Sequence, residues 1–309
     1  MKKILVTGGA GYKGVILVRE LLKKGYEVTI LDNFMYGYDS VLGFSDIKNC
    51  TIIRKDIRNL EASDVSAYDV IFHLAGISSY PACEANPHSA EIINVHGTKK
   101  LVSHLSKHQL LVYASTTSFY GTSGEVMNER SPISTASPMS LYARTKYEGE
   151  KICMTHPNAV SLRFAALFGV SSRMRTDLMV NDFVHKAITE RSLVLFDSKS
   201  IRTYLHVRDA IQAYLMVLEQ TPKMLGQVFN VGSNELNFSK LDLANRILKH
   251  VDFKIIDSDL SDFDKRNFVI CYDKINALGF KQSVSMEEGI LELKKLYSFY
   301  RPFLPYQII

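Results

Sequence analysis

The chain has 309 residues, with 37 Lys and Arg against 32 Asp and Glu, which gives a formal net charge of +5. This length predicts one large or two small domains with ample core. The mild, scattered positive charge suits anionic small ligands and lacks the clustered basic patch of a nucleic-acid-binding protein. We expect no membrane segment, because no apolar run approaches the ~18–20 residues that span a bilayer.

The cysteines and the N-terminus predict a cytoplasmic protein. Cys50, Cys83, Cys153 and Cys271 lie far apart and show no CxxC spacing. They are typical of reduced thiols, not of a metal site or a disulfide framework. The first residues lead directly into a strand-like run, so no signal peptide is expected.

A glycine-rich turn separates the first two predicted strands. Apolar residues 4–6 predict a strand, the sequence Thr7-Gly8-Gly9-Ala10-Gly11-Tyr12-Lys13-Gly14 follows, and a helical period begins there. In a dinucleotide-binding unit the first glycine allows the tight turn, the second lets the backbone approach a pyrophosphate, and the third lets the helix pack on the strand. The helix N-terminus offers free N–H groups and a partial positive charge to phosphates.

The second predicted strand ends in an acidic residue at the spacing of that unit. The apolar run 28–31 is followed by Asp32. A carboxylate there accepts hydrogen bonds from the adenosine ribose hydroxyls and repels a 2′-phosphate. The sequence therefore predicts NAD, and not NADP, as the cofactor.

Strand and helix signals then alternate along the chain. Strands are predicted at 50–53, 69–74, 110–114, 160–164 and 228–231, and helices at 89–107, 140–154, 177–190, 207–219, 241–249 and 286–299. This rhythm predicts an α/β fold, a doubly wound parallel sheet with helices on both faces and ligands at the carboxyl ends of the strands. We predict a Rossmann domain at 1–168 to which 203–234 return. The parts 169–202 and 235–309 are predicted to form a smaller, interleaved substrate-binding α/β region.

Tyr142 and Lys146 place a phenol and an amine on one face of the helix predicted at 140–154. A tyrosine with its ordinary pKa near ~10 is too weakly acidic to act as a base at neutral pH. A neighbouring ammonium and an oxidised nicotinamide would lower that pKa. The alternative is a solvated helix face, because this spacing is common by chance.

Hydroxyl side chains follow the strand predicted at 110–114. They occupy positions 115–118, at the edge of the sheet where ligands bind. One of them could orient a substrate hydroxyl, and others could cap the following turn.

Together, these motifs resemble the extended short-chain dehydrogenase/reductase family, and within it the NAD-dependent nucleotide-sugar epimerases and dehydratases such as UDP-glucose 4-epimerase. The motifs in order are the glycine turn, Leu31-Asp32-Asn33, Asp56-Ile57-Arg58, His73-Leu74-Ala75-Gly76, Asn94-Val95-His96-Gly97-Thr98, Ser115-Thr116 with Tyr120-Gly121, Tyr142 with Lys146, residues 202–209, Phe229-Asn230-Val231-Gly232 and Asp264-Lys265-Arg266.

The resemblance implies a role for each matching residue. Tyr142 would be the general base or acid, Lys146 its electrostatic partner, and Thr116, four residues before Tyr120, the catalytic hydroxyl. Asp56 and Ile57 would hold the adenine, and Asn94 would also shape the active-site helix. The implied NAD-binding residues are Gly8, Gly11, Tyr12, Lys13, Gly14, Asp32, Asn33, Asp56, Ile57, Leu74, Ala75, Gly76, Asn94, Ser115, Tyr142 and Lys146.

The resemblance also implies a nucleotide-diphosphate sugar as the substrate and no metal. The forked guanidinium groups of Arg202 and Arg266 suit its pyrophosphate. Asn181 and Phe196 fall where the family contacts the nucleotide base, although Phe196 also fits core packing. The implied substrate-binding residues are Ser78, Thr116, Thr117, Arg175, Asn181, Phe196, Arg202 and Arg266. A homodimer through the helices near 88–107 and 140–155 is expected.

Some positions depart from the family pattern. Lys13 stands where the family usually has an apolar residue, so the start of that helix is expected to be more exposed. Ala166 replaces an asparagine that many 4-epimerases use. Thr117 and Ser118 replace the Asp-Glu pair of the 4,6-dehydratases, which argues against dehydration because neither hydroxyl is a good acid or base.

The segment 168–183 resembles a subset that includes GDP-heptose 4-oxidoreductases. Its Arg173 and Arg175 are expected to add phosphate or sugar contacts or to form a solvated basic turn.

These residues predict hydride transfer between C4 of the sugar and NAD, through a 4-keto species. Return of the hydride to the other face would make an epimerase, release of the ketone a 4-dehydrogenase, and the reverse a 4-keto reductase. A 4,6-dehydratase and a non-catalytic NAD-binding regulator are weaker alternatives. A regulator would need the glycine turn but not Tyr142, Lys146 and Thr116.

Overall fold

The computed structural model describes residues 2–121, 125–133, 140–261 and 266–302. Asp264 and Lys265 of the predicted motif lie outside these residues. The strands in chain order are β1 Lys3–Thr7, β2 Glu27–Asp32, β3 Cys50–Arg54, β4 Val70–His73, β5 Leu110–Thr116, β6 Val126–Met127, β7 Ala159–Phe164, β8 Ala166–Phe168, β9 Ser192–Phe196, β10 Ile201–His206, β11 Gln227–Val231, β12 Asn237–Ser239, β13 Lys254–Ser258 and β14 Val269–Ile270.

The α-helices lie between these strands and after them. They are α1 Gly14–Lys23, α2 Tyr80–Ala85, α3 Pro87–Glu91, α4 Thr98–Ser103, α5 Leu141–Cys153, α6 Met179–Thr189, α7 Val207–Glu219, α8 Thr221–Met224, α9 Lys240–Leu248, α10 Asp273–Asn276 and α11 Met286–Tyr297. Short 3₁₀ turns cover Asp39–Phe44, Ile57–Asn59, Ala62–Asp64, Ser118–Tyr120 and Asn234–Leu236, and one π-helical turn covers Ile92–Gly97.

A seven-stranded parallel sheet forms the centre of the fold, in the order β3-β2-β1-β4-β5-β7-β11. Its inner strands are largely apolar because helices cover both faces, and Ile4, Leu5 and Val6 of β1 are fully buried. Val6 of β1 pairs with Ile30 of β2 on one side and with Phe72 of β4 on the other. The predicted doubly wound Rossmann sheet is confirmed.

The region after β7 adds smaller sheets and a second core. The strands pair as β12-β10-β8, β13-β9 and β14-β6. A separate apolar cluster there includes Phe168, Val184, Tyr204, Ile247 and Ile290. The predicted limits of the substrate-binding region stay a prediction, and most of these short strands carried no clear period in the sequence.

The predicted helix at 89–107 is interrupted in the structure. α3 ends at Glu91, the π-helical turn follows, and α4 ends at Ser103. Asn94 lies in the π turn, where its amide group donates to the Ile77 carbonyl at 2.9 Å and to Thr145 Oγ1 at 3.1 Å. Such turns often occur at functional sites, and hydrophobic periodicity cannot reveal them.

Among the described residues, no helix is both long and apolar enough to cross a bilayer.

α5 lies very close to β5 because it carries a glycine at the point of contact. A methyl group at Gly149 would lie 2.3 Å from Tyr113 Oη and 3.2 Å from the Asn94 carbonyl oxygen. A buried ion pair also fastens the helix to the sheet, with Arg163 Nη2 of β7 at 2.6 Å from Glu150 Oε1. Ser161 Oγ donates to the other oxygen of Glu150 at 2.9 Å.

We expect Gly149→Ala to lower the free energy of unfolding by about 1–3 kcal/mol, because the added methyl forces α5 away from β5. Gly43→Ala is the matched control, since no heavy atom lies within 4 Å of its added methyl and its φ is not positive. Chemical denaturation of both variants measures the difference. Equal stability of the two variants would contradict the close packing described here.

Candidate active site

A cavity of about 500 Å³ opens at the carboxyl ends of the central strands. The glycine turn after β1, the end of β2, the loop after β4, the end of β5 and one face of α5 meet there. Most of the predicted site residues line it, namely Gly8, Gly11, Tyr12, Lys13, Gly14, Asp32, Asn33, Asp56, Ile57, Leu74, Ala75, Gly76, Ser78, Ser115, Thr116, Thr117, Tyr142, Lys146, Arg175, Arg202 and Arg266.

The glycine turn is compact and leaves its backbone accessible to a ligand. Gly8 has a φ of 71°, and a methyl there would lie 2.6 Å from the Ala75 amide nitrogen. A methyl at Gly14 would lie 2.4 Å from the Gly8 carbonyl oxygen, so α1 starts directly against the turn. No side chain caps α1 and no acidic residue lies in its first turn, and its first residue, Gly14, lines the cavity, so the positive end of the helix dipole lies at the cavity.

Asp32 lies at the end of β2, beside this turn. Its carboxylate accepts hydrogen bonds from the Ala10 amide at 3.1 Å and the Phe34 amide at 2.9 Å. Burial raises the pKa of Asp32, while these amides and the charge of Arg173 act in the opposite direction. The carboxylate oxygens still have lone pairs for ribose hydroxyls.

Asp56 is fixed by its neighbours. Asn33 Nδ2 donates to Asp56 Oδ2 at 3.0 Å, and the Arg58 guanidinium binds both carboxylate oxygens at 2.9 Å. The hydrogen bonds from Arg58 lower the pKa of Asp56 to about 2, so it is a carboxylate at neutral pH. Ile57 lies beside it under the π turn, where its side chain approaches Gly97.

A buried histidine holds the strand end below the loop after β4. His73 Nδ1 lies 2.7 Å from Thr7 Oγ1, and its Nε2 lies 2.9 Å from Thr98 Oγ1. Burial lowers the pKa of His73 to about 3, so the imidazole is neutral. It therefore ties β1, β4 and α4 together.

Tyr142 and Lys146 face the cavity from successive turns of α5. Burial raises the pKa of Tyr142, which is opposite to the lowering expected from Lys146; the Thr116 hydroxyl and the charges of Arg175 and Arg266 act downward. Burial lowers the pKa of Lys146 to about 8, and its Nζ lies 4.1 Å from the centre of the Tyr113 ring.

A chain of hydrogen bonds connects the predicted catalytic hydroxyl to a guanidinium. Thr116 Oγ1 donates to Ser118 Oγ at 2.9 Å, and Arg266 Nη1 donates to the same oxygen at 2.6 Å. The Ser118 amide in turn donates to Thr116 Oγ1 at 3.1 Å. Ser118 was considered as one hydroxyl of the turn and as a replacement for a dehydratase carboxyl group, and its link to a residue 148 positions away could not be read from the sequence.

The hydroxyl groups of Thr117 and Ser115, at the same end of β5, lie outside this chain of hydrogen bonds. Thr117 Oγ1 donates to the Phe164 carbonyl at 3.2 Å, so it fastens the turn to β7. Ser115 Oγ is buried and, within the residues that the structure describes, has no hydrogen-bond partner. A buried polar atom of this kind is costly unless a ligand engages it.

Arginine side chains line another part of the cavity wall. Arg202 Nη1 donates to the Arg266 carbonyl oxygen, although the two residues are 64 positions apart. Arg175 forms a fork with Asp177, and its Nη1 donates to Ser78 Oγ at 2.9 Å. Two residues that were predicted separately, Ser78 and Arg175, are thus in direct contact.

Arg173, on the same segment, lies 4.7 Å from the centre of the Tyr36 ring. Both residues line the cavity; Arg173 was expected to add phosphate or sugar contacts or to form a solvated basic turn, and Tyr36 was not among the predicted site residues. An arginine next to a family-matched position was visible in the sequence, but nothing there indicated its aromatic partner.

The position of the Lys13 side chain differs from the one expected from the sequence. It was predicted to make the start of α1 more exposed, but its side chain turns into the cavity, with Nζ 4.4 Å from the centre of the Phe164 ring. Burial lowers its pKa to about 7. The aromatic face of Phe164 accepts the ammonium, which explains why this position tolerates a lysine.

Three predicted residues do not line the cavity. The side chain of Asn94 is hydrogen-bonded to the backbone of Ile77 and to Thr145 Oγ1. Asn181 is fully buried, accepts from the Gly169 amide at 3.0 Å and donates to the Arg175 carbonyl at 2.8 Å, so it shapes the loop instead of facing a base. Phe196 is 39% exposed at the end of β9, and the predicted base contact has no support from its position.

Within the described ranges, no group of three or more His, Cys, Asp or Glu side chains could hold a metal ion.

Comparison with known proteins agrees with this geometry. A family model described as "NAD dependent epimerase/dehydratase family" matches residues 4–232. The "Uncharacterized UDP-glucose epimerase YtcB" of Bacillus subtilis is 31% identical over 252 residues, which are 75% of this chain and 77% of that protein. The UDP-N-acetyl-alpha-D-glucosaminuronate decarboxylase of Bacillus cytotoxicus is 26% identical over 97% of this chain and 92% of its own length.

A solved structure matches nearly the whole chain. UDP-glucuronic acid 4-epimerase from Bacillus cereus, in complex with UDP-glucuronic acid and NAD, superposes with a TM-score of 0.81 at 25% identity. The match covers 96% of this chain and 99% of that one.

Proposed function

Because the chain belongs to the NAD-dependent epimerase/dehydratase family, we propose that it is a nucleotide-sugar 4-epimerase that works through a 4-keto species. Enzymes of this family use NAD, and the matching 4-epimerase from Bacillus cereus was solved with UDP-glucuronic acid and NAD. One observation carries the proposal: Tyr142, Lys146 and Thr116 line the same cavity as the glycine turn. A regulator that only bound NAD would not need this arrangement.

The residues fit NAD without rearrangement of the backbone. The glycine turn has no side chain that would fill the phosphate position, and α1 begins beside it with no acidic residue in its first turn. Asp32 supplies a carboxylate at the ribose end, and Ser115 Oγ offers a buried hydroxyl near the other end. Lys146 stands next to Tyr142, where its ammonium can reach the second ribose.

Tyr142 would take the proton of the sugar hydroxyl. Burial holds its pKa above the ordinary value, so the phenolate needs positive charge nearby. Arg175 and Arg266 supply part of that charge from the protein side, and Lys146 lines the same cavity one turn further along α5. NAD, when bound, supplies the acceptor and donor of the hydride and the positive charge of its oxidised ring.

Thr116 would orient the reacting hydroxyl, and the arginines would hold the diphosphate. Thr116 Oγ1 is itself fixed by the Ser118 amide and hydroxyl, so its direction is set before substrate binds. Arg202 and Arg266 lie together on the wall beyond it, and guanidinium forks suit phosphate oxygens.

Release of the ketone would make the enzyme a 4-dehydrogenase, and reaction from the ketone a 4-keto reductase. A 4,6-dehydratase is disfavoured because Thr117 and Ser118 supply no carboxyl group and both hydroxyls are engaged. Inversion is favoured because a solved structure that matches nearly the whole chain is that of a UDP-glucuronic acid 4-epimerase.

A panel of sugar nucleotides tests the proposal. We expect the purified protein to carry NAD and to invert C4 of at least one UDP-hexose or UDP-hexuronic acid, as measured by chromatography and proton NMR of the product. GDP-, CDP- and dTDP-sugars complete the panel. NAD-loaded protein that gave neither C4 inversion nor oxidation nor ketone reduction on any member would overturn the proposal.

Tyr142→Phe is expected to lower turnover by about 10²- to 10⁴-fold, because the group that moves the proton is lost. Tyr147→Phe is the matched control: this tyrosine lies on α5 five residues later and packs on Phe119 at 5.2 Å between ring centres. Both variants should retain NAD. Full activity of Tyr142→Phe would favour a regulator or a different base.

Ser118→Ala is expected to lower kcat by about 10- to 100-fold, because Thr116 and Arg266 both lose their shared oxygen. The KM for the sugar nucleotide should also rise, since Arg266 loses one of the hydrogen bonds that orient its guanidinium. Ser118→Thr keeps the hydroxyl and should restore most of the activity. An equal loss of activity in both variants would contradict the positioning role of the Ser118 hydroxyl, because the change of side-chain volume would then explain the effect.

A homodimer through α3, α4 and α5 and a cytoplasmic location belong to the same proposal. Partly buried apolar side chains such as Val102 and Met154 lie on or beside these helices. All four cysteines are free thiols, as in a reducing compartment. Light scattering of the purified protein distinguishes the dimer from a monomer.

A further inference from the structure

Lys13 places a cation in the wall of the cavity where this family usually has an apolar side chain. Its Nζ lies 4.4 Å from the centre of the Phe164 ring and 5.9 Å from that of Tyr214. Phe164 pairs in register with Thr116, so the ammonium lies beside the strand end that carries the predicted catalytic hydroxyl. The mechanism described above does not use it.

The groups around Lys13 do not neutralise it. Phe164 of β7 and Tyr214 of α7 face it with aromatic rings, and the charges of Lys146 on α5 and Arg175 after β8 repel it. In the part of the chain that the structure describes, no carboxylate pairs with it. Burial, followed by these two cations, lowers the pKa of Lys13 to about 7.

The position of Lys13 coincides with the reactive end of the cofactor site. It directly precedes α1, whose N-terminus would receive the pyrophosphate, and its side chain extends toward Phe164, on the side of Tyr142 and Lys146. The nicotinamide must lie between the phosphate end and this Tyr-Lys pair. Lys13 thus lies on the path that the nicotinamide half of NAD would occupy.

Charge distinguishes the two forms of the cofactor at this place. Oxidation of a sugar CH–OH to C=O moves a hydride, with its electron pair, from the carbon to the nicotinamide, and moves the hydroxyl proton to Tyr142. The oxidised ring is positive and the reduced ring is neutral. A nearby ammonium therefore repels only the oxidised form.

We propose that Lys13 biases the bound cofactor toward NADH and thereby stabilises the state in which the sugar is a ketone. The bias weakens when Lys13 loses its proton, so it falls as the pH rises through neutrality. This inference rests on NAD binding alone and not on which sugar reaction the enzyme performs.

The test measures which form of the cofactor the protein retains. Protein is equilibrated with equal concentrations of NAD⁺ and NADH, separated from free nucleotide and denatured, and the released forms are quantified by chromatography. The measurement is made at pH 6.5 and 8.5. Equilibrium is verified by starting from each loaded form.

At pH 6.5 we expect the bound NADH/NAD⁺ ratio of the natural protein to exceed that of Lys13→Met by about tenfold. At pH 8.5 the difference between the two ratios should be smaller, because burial lowers the pKa of Lys13 and a larger fraction of it is then neutral. Lys13→Arg keeps its charge at both pH values and should keep the high ratio. Lys146 titrates in every variant, so the comparison between variants isolates Lys13.

Lys23→Met is the matched control, since Lys23 lies on the same helix but points to solvent and pairs with Glu20. Its ratio should equal that of the natural protein. Equal ratios for the natural protein and Lys13→Met at pH 6.5 would overturn the inference while leaving the proposed function intact. If Lys13→Met does not fold, Lys13→Gln replaces it at pH 6.5, where equal ratios for that variant and the natural protein would overturn the inference, and absence of NAD binding would overturn both.

Discussion

The close contact between α5 and β5 is the constraint on which the site depends. Gly149 lets the helix approach Tyr113, and the buried pair of Glu150 with Arg163 holds it in place. Tyr142 and Lys146 sit on the same helix, so its position determines how they meet Thr116 at the strand end. A helix a few tenths of an ångström farther away would separate the phenol from the hydroxyl it must serve.

The second determinant is charge in a partly closed cavity. Lys13, Lys146, Arg175, Arg202 and Arg266 all line it. Burial lowers the pKa of both lysines and raises that of Tyr142, so in each case it favours the uncharged form. The diphosphate of a nucleotide sugar and that of a dinucleotide carry negative charge, which stabilises the buried cations of the cavity. The site is thus organised for the ligands of its family.

The parts of the site that local sequence determines were predictable. The glycine turn and the acidic residue after β2 depend on spacing within one βαβ unit, and the Tyr-Lys pair depends on the pitch of a single helix. The parallel sheet followed from the alternation of apolar runs with helical periods. These features need no knowledge of distant contacts.

The remaining parts depend on contacts between distant segments. The π turn at Asn94 exists because its amide bonds to Ile77 and Thr145, and Ser118 gains its role from Arg266. Asn181 and Phe196 matched the family by position, but their side chains are directed by the loop after β8 and by the β9–β13 sheet. Lys13 looked exposed because the sequence could not show the aromatic ring that receives it.

Deuterium on C4 of the sugar tests the central claim most directly. With a converted UDP-sugar labelled at C4, the account predicts slower turnover and recovery of the deuterium on C4 of the product or on the nicotinamide, because the hydride never exchanges with water. Loss of the deuterium to solvent would contradict it, since the C4 hydrogen would then leave as a proton and not as a hydride.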